Sequence, residues 1–112
     1  VYSAHFNCES VYPHRVAEES VLPPEKLLSG ISEKTLFVGN GALLYRTLII
    51  EKLAERAVFA PGFLSLPRAG AAALLALQDL IAGRTFSADE LLPLYLRPSE
   101  AELNWRPSGD SC

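Results

Sequence analysis

"KTLFVGNGALLYRTLIIEKLAER", residues 34–56, decides the fold class. Thr35 to Val38 is a short run of strand-forming apolar residues. Gly39-Asn40-Gly41 then supplies turn chemistry, and Leu44, Leu48 and the Glu51/Lys52 pair follow at helical spacing. The stretch predicts a strand, a tight turn and a helix in direct succession. Next comes "AVFAP", residues 57–61, a short buried strand closed by Pro61 and Gly62. "LPRAGAAALLALQDLIAG", residues 66–83, opens with Pro67 and ends at Gly83, with Arg84 complementing the helix dipole. Its many alanines imply close packing against a sheet. Strands alternating with helices in this way call for parallel crossovers and an α/β architecture.

Upstream the period changes. "VYSAHFNC", residues 1–8, sets Tyr2, Ala4, Phe6 and Cys8 against Ser3, His5 and Asn7, the alternation of a half-buried strand. "SVYPHRVAEESVL", residues 10–22, continues with β-formers but carries Pro13, so it predicts an edge or bulged strand. Together they predict an antiparallel meander of two or three strands. In "LPPEKLLSG", residues 22–30, Pro24 fits a first helical position and Gly30 a helix stop, giving a short helix over 24–28. Downstream, "TFSADE" predicts a turn or single helical turn capped by Ser87, and Leu91 to Leu96 predicts the last strand. The expected order is β-β-β-α-β-α-β-α-β, with no internal repeat.

Composition bounds the function. The chain has 112 residues, 49% hydrophobic and 21% charged, enough for one domain with a modest core. The net charge is −3 and the ten Lys and Arg residues are scattered among acids, so no nucleic-acid footprint stands out. Cys8 and Cys112 lie near opposite ends and read as free thiols of a reducing, cytoplasmic compartment. The longest apolar run, Ala69 to Leu77, is far short of the ~20 residues of a membrane span. The absence of methionine and the opening directly on a strand pattern predict a fragment whose missing partner lies on the N-terminal side.

Candidate chemistry is sparse. His5, Cys8 and His14 are soft ligand types close in sequence, but His5 and Cys8 are an odd number of positions apart and fall on opposite strand faces, so no metal site is expected. No Gly-x-Ser-x-Gly or similar nucleophile element occurs. Glu18/Glu19 and Asp89/Glu90 lie in polar surroundings and read as solvated carboxylates. Gly39, Asn40 and Gly41 are the strongest binding candidate, since two glycines at a strand-to-helix turn permit close backbone approach to a phosphate or adenosine.

Four pieces in order, "VYSAHF", "LPPEKLL", "LFVGNGALLY" and "LLPLYLRPSEAEL", resemble the C-terminal half of the bacterial TsaB (YeaZ) family of tRNA threonylcarbamoyladenosine biosynthesis proteins. That family is also labelled glycoprotease-like, or peptidase family M22. The last piece is the most specific: Pro93, Tyr95, Arg97, Ser99 and Ala101 match the closing pattern P-x-Y-x-R-x-S/D-x-A/E. The resemblance spans residues 1–105.

It implies the actin-like ATPase (ASKHA) fold of two ribonuclease H-like lobes. Residues 1–105 would be the C-terminal lobe, a mixed sheet with an antiparallel meander, then parallel crossovers and flanking helices, and 106–112 a flexible tail. The N-terminal lobe would precede Val1. The implied role is a non-catalytic subunit, without cofactor or catalytic residues, supporting formation of N6-threonylcarbamoyladenosine (t6A) in tRNAs that read ANN codons. The implied partners are TsaD, TsaE and a second copy of the full-length protein, with tRNA reached only through the complex and no membrane. Gly39, Asn40 and Gly41 would be a degenerate nucleotide turn, and Arg97 and Glu100 a boundary between sheet and surface. The alternatives are a lobe of an ATP-dependent enzyme of the same fold, either a TsaD-like transferase or a sugar kinase; a glycoprotease-like peptidase; and a binding module unrelated to tRNA.

Overall fold

The computed structural model describes residues 1–104. The expected tail at 106–112, with Cys112, lies outside the described residues. The described chain is mixed α/β: β1 (Tyr2–Asn7), β2 (His14–Val21), α1 (Pro24–Ser29), β3 (Thr35–Phe37), α2 (Asn40–Leu44), α3 (Arg46–Leu53), β4 (Ala57–Phe59), α4 (Ala69–Ile81) and α5 (Glu100–Asn104). Two 3-10 turns, Ala54–Arg56 and Gly62–Ser65, flank β4.

β1 and β2 pair antiparallel from Tyr2↔Val21 to Asn7↔His14, with register shifts on both sides of His5. The Ser3 and Ser20 hydroxyls meet at 3.0 Å across the regular end of this ladder. Pro13 immediately precedes β2, where its missing N–H removes nothing from the pairing. Among the described residues the meander is therefore a single bulged hairpin, without a third strand.

β3 and β4 form the expected parallel pair, with Thr35↔Ala57, Leu36↔Val58 and Phe37↔Phe59 in register. The Ala60 N–H donates to the Phe37 carbonyl at 3.0 Å, carrying the pairing one step further. The two pairs are separate two-stranded sheets, which corrects the expected single mixed sheet. At three residues each, β3 and β4 offer a short ladder, and the bulges interrupt the regular edge of the hairpin.

Local chemistry accounts for the helices. Pro24 occupies the first turn of α1, and the Gly30 N–H closes it on the Leu27 carbonyl at 3.2 Å. The helix read after the glycine turn is two helices, because Tyr45, at φ −99° and ψ 18°, leaves helical geometry and ends α2 before α3 resumes. α4 stops at a left-handed Gly83 (φ 75°), whose N–H donates to the Leu80 carbonyl at 3.0 Å. Arg84 then binds Asp79 at 2.6 Å.

Leu28 of α1 and Ile49 and Leu53 of α3 form the buried cluster, with Ile31, Phe37 and Phe59 packed against it. Arg56 fastens the end of α3 to the loop before β3, donating from Nη1 to the carbonyls of Ile31 and Ser32, each at 3.2 Å.

Two further expectations fail. No residue of α4 is buried, so its alanines do not pack against a sheet; backbone hydrogen bonds and alanine's helix propensity form the helix without that contact. Leu91 to Leu96 is not a strand, for Pro93 removes a ladder donor and, among the described residues, no neighbouring strand supplies a partner. Among the described residues the turn at 88–90, a bend at 96–97 and the helix α5 mark this region.

Candidate functional site

Parallel strands direct their carboxyl ends to one edge, and in α/β units the turns leaving that edge are the usual ligand positions. Here the turns after β3 and β4 are tied together. Gly39 follows β3 at φ 105° and ψ 168°, a region open essentially to glycine alone. Its N–H donates to the Ser65 hydroxyl oxygen at 3.2 Å. Ser65 belongs to the 3-10 turn after β4 and is the buried polar side chain among the described residues. The Gly39 amide that a bound anion would seek is thus already engaged within the chain.

Asn40 opens α2 and is exposed, and its side chain does not cap the helix. Gly41 lies inside α2, where an added Cβ would meet nothing within 4 Å. The structure therefore brings Gly39, Asn40 and Gly41 together on one turn, with distinct roles: Gly39 makes the bend, while Gly41 leaves the surface open.

One neighbour was not legible from the glycine pattern. Arg46, in the first turn of α3, lays its guanidinium 4.1 Å from the ring centroid of Phe59, and Phe59 in turn lies 5.8 Å from Phe37. No local pattern signals this contact, because it depends on where β4 lies relative to α3. The result is an exposed cation anchored by an aromatic at the end of β4, beside the hydrophobic cluster.

The other candidates are dispersed. His5 lies opposite Ala17 and His14 opposite Asn7, while Cys8 is exposed just past β1. Among the described residues no group of three His, Cys, Asp or Glu side chains converges as a metal site. Glu19 accepts from Arg15 at 2.9 Å. Glu90 accepts from the Ser87 N–H at 2.8 Å, a backbone hydrogen bond that, with the Ser87 hydroxyl, holds its carboxyl below the ordinary range. Glu102 is lowered in the same way by the Ser99 N–H and then the Ser99 hydroxyl. Arg97 and Glu100 meet at 3.4 Å on the surface.

A cleft of ≈ 300 Å³ lies between α1 and the end of α3, with Leu28 and Leu53 at its floor and Glu25, Lys52 and Arg56 among its walls. A second, of ≈ 230 Å³, includes His5, Glu33 and Thr35. Neither includes the glycine turn. Among the described residues no helix is long and apolar enough to cross a membrane. No family model matches the chain, and no curated protein or solved structure matches it significantly.

Proposed function

We propose that the chain is the C-terminal ribonuclease H-like lobe of a TsaB-type protein, a non-catalytic cytoplasmic subunit that supports t6A formation on tRNA by a TsaD-containing complex. The observation that carries this reading is the stretch "LFVGNGALLY", residues 36–45. It folds as β3, the Gly39 turn and α2 inside a parallel unit, the local form that its resemblance to the family implies. The closing pattern Pro93-Tyr95-Arg97-Ser99-Ala101 supports the same reading from the sequence. TsaD and TsaE are the partners it entails, together with a second copy of the full-length protein, and tRNA is engaged through them.

The test is reconstitution. The protein carrying this chain is combined with TsaD, TsaE and threonylcarbamoyl-AMP synthase of the same organism, and modified adenosine in tRNA is quantified by mass spectrometry with and without it. Modification that requires the protein is the expected result. Equal modification in its absence overturns the reading.

A second reading has its own observation. Gly39, Asn40 and Gly41 stand at the carboxyl edge of a parallel pair, and Gly41 leaves room for a ligand to approach the backbone. A lobe of an ATP-dependent enzyme of the same fold would use that opening for the adenosine of ATP. Calorimetric titration of the full-length protein with ATP separates the two: millimolar or weaker binding favours the supporting subunit, micromolar binding the enzyme.

A further inference from the structure

The cleft of ≈ 300 Å³ between α1 and the end of α3 combines two kinds of lining. Its floor is apolar, made by the buried Leu28 and Leu53 with the half-buried Ile31 packed against the same cluster. Its rim is charged. Glu25 stands on the α1 side, three positions from Leu28 and so on the same helix face. Lys52, in the last turn of α3, and Arg56, in the 3-10 turn that follows, stand on the other.

These opposite charges line one cleft without meeting. Among the described residues none of Glu25, Lys52 and Arg56 has an ion-pair partner within 4.0 Å. Arg56 is nevertheless held in place, because its Nη1 donates to the carbonyls of Ile31 and Ser32, each at 3.2 Å. Those acceptors are neutral, so the guanidinium keeps its charge at the rim. Lys52 is exposed and carries its ammonium on a flexible stem that can reach toward the cleft. The Ser29 hydroxyl is turned back onto its own helix, donating to the Lys26 carbonyl at 2.8 Å.

We infer that this cleft binds a free α-amino acid with an apolar side chain. The carboxylate sits between Lys52 and Arg56, the ammonium meets Glu25, and the side chain rests on Leu28, Ile31 and Leu53. A ligand with both charges and an apolar body satisfies the whole lining, and the volume lies at the small end of the ~300–1,000 Å³ typical of ligand clefts. A phosphate or a dicarboxylate would face the Glu25 carboxylate and leave the floor unused. A peptide terminus would offer only one of the two charges. The cleft adjoins the loop before β3, whereas the glycine turn follows that strand, so its occupancy is separate from any nucleotide at Gly39–Gly41 and from support of t6A formation.

The probe is L-leucine, titrated at low salt into the full-length protein carrying this chain, with the methyl resonances of Leu28, Ile31 and Leu53 followed by NMR. Saturable shifts at these methyls, with a dissociation constant in the millimolar range, are expected. N-acetyl-L-leucine, which lacks the ammonium, and L-leucinamide, which lacks the carboxylate, are each expected to bind at least about three-fold more weakly, the scale of an exposed ion pair. Glycine, without the apolar body, is expected to lose at least as much.

Glu25→Gln and Lys52→Gln are exposed changes that break no hydrogen bond or ion pair among the described residues. Glu25→Gln is expected to weaken L-leucine about three-fold and leave N-acetyl-L-leucine unchanged; Lys52→Gln is expected to weaken both and leave L-leucinamide unchanged. This crossed pattern separates charge recognition from a general effect on folding. Absence of shifts at the three methyls up to about 20 mM L-leucine overturns the inference. So does equal binding of L-leucine and N-acetyl-L-leucine, which would mark the cleft as a site for a peptide carboxyl terminus, or equal binding of L-leucine and L-leucinamide, which would mark it as a site for an amino terminus.

Discussion

Gly39 and Ser65, 26 residues apart, are joined by one hydrogen bond, from the Gly39 backbone N–H to the Ser65 hydroxyl oxygen at 3.2 Å. It is the polar link between the turns that leave β3 and β4, and Ser65 is buried as it makes it. Ser65→Ala removes the acceptor while leaving the donor half-buried, so it is expected to destabilise the chain by about 1 kcal/mol. Urea denaturation measures this; an unchanged midpoint and slope would mean that water replaces the hydroxyl at no cost.

The two glycines of the turn are expected to respond in opposite directions. Gly39→Ala forces a Cβ onto a backbone at φ 105° and ψ 168°, at a cost of roughly 1–3 kcal/mol. Gly41→Ala meets no atom within 4 Å and gains the helix propensity of alanine, roughly 0.5–1 kcal/mol. Thermal melts of the pair check the sign. If ATP binds this turn, Gly41→Ala also lowers its affinity, an effect that the supporting-subunit reading does not require.

Burial separates the leucines. Leu53 is 3% exposed and Leu44 76% exposed. Leu53→Ala is therefore expected to cost about 2–5 kcal/mol and Leu44→Ala within about 0.5 kcal/mol, as read from denaturant midpoints. Similar losses at both positions would place Leu44 in a contact of its own.

Glu90 and Glu102 are held below their ordinary pKa first by the backbone N–H groups of Ser87 and Ser99 and second by the hydroxyls of the same serines. A depressed folded-state pKa contributes stability that is complete above the unfolded-state value and disappears as the pH falls through the folded one. The direction predicts that the turn at Ser87 and the start of α5 loosen on the acid side of the ordinary glutamate range and stay unchanged near neutrality. Carboxyl carbon titrations by NMR check this: midpoints for Glu90 and Glu102 at or above those of the unfolded chain contradict it.

Elements specified by neighbouring residues were legible in the sequence. Pro24 and Gly30 bracket α1 because a missing N–H and a helix stop act within one turn, and Gly83 marks the end of α4 for the same reason. The β3–turn–α2 succession was legible from Thr35 to Leu44, and the turn proved tight because Gly39 alone can hold its backbone angles. What failed depended on distant partners. Leu91 to Leu96 has strand composition, but a strand exists only with a neighbour to share its amides, and nothing local reports one. The alanines of α4 indicate a helix without indicating what covers it. The break at Tyr45 carries no proline or glycine, and the Arg46–Phe59 stack that follows it depends on where β4 lies. Of the candidate site, the location of Gly39, Asn40 and Gly41 was legible, whereas the engagement of the Gly39 amide by Ser65 was set by the second turn.

The buried cluster of Leu28, Ile49 and Leu53 also has a calorimetric consequence. Heat capacity of unfolding scales with the apolar surface newly hydrated, about 1.2–1.5 kcal/mol/K for an ordinary domain of some hundred residues. A chain that already hydrates the faces of α4 and of the β3–β4 sheet has less left to hydrate. Its free-energy curve against temperature is correspondingly flat, so warming and cooling erode it slowly and the endotherm is low and broad.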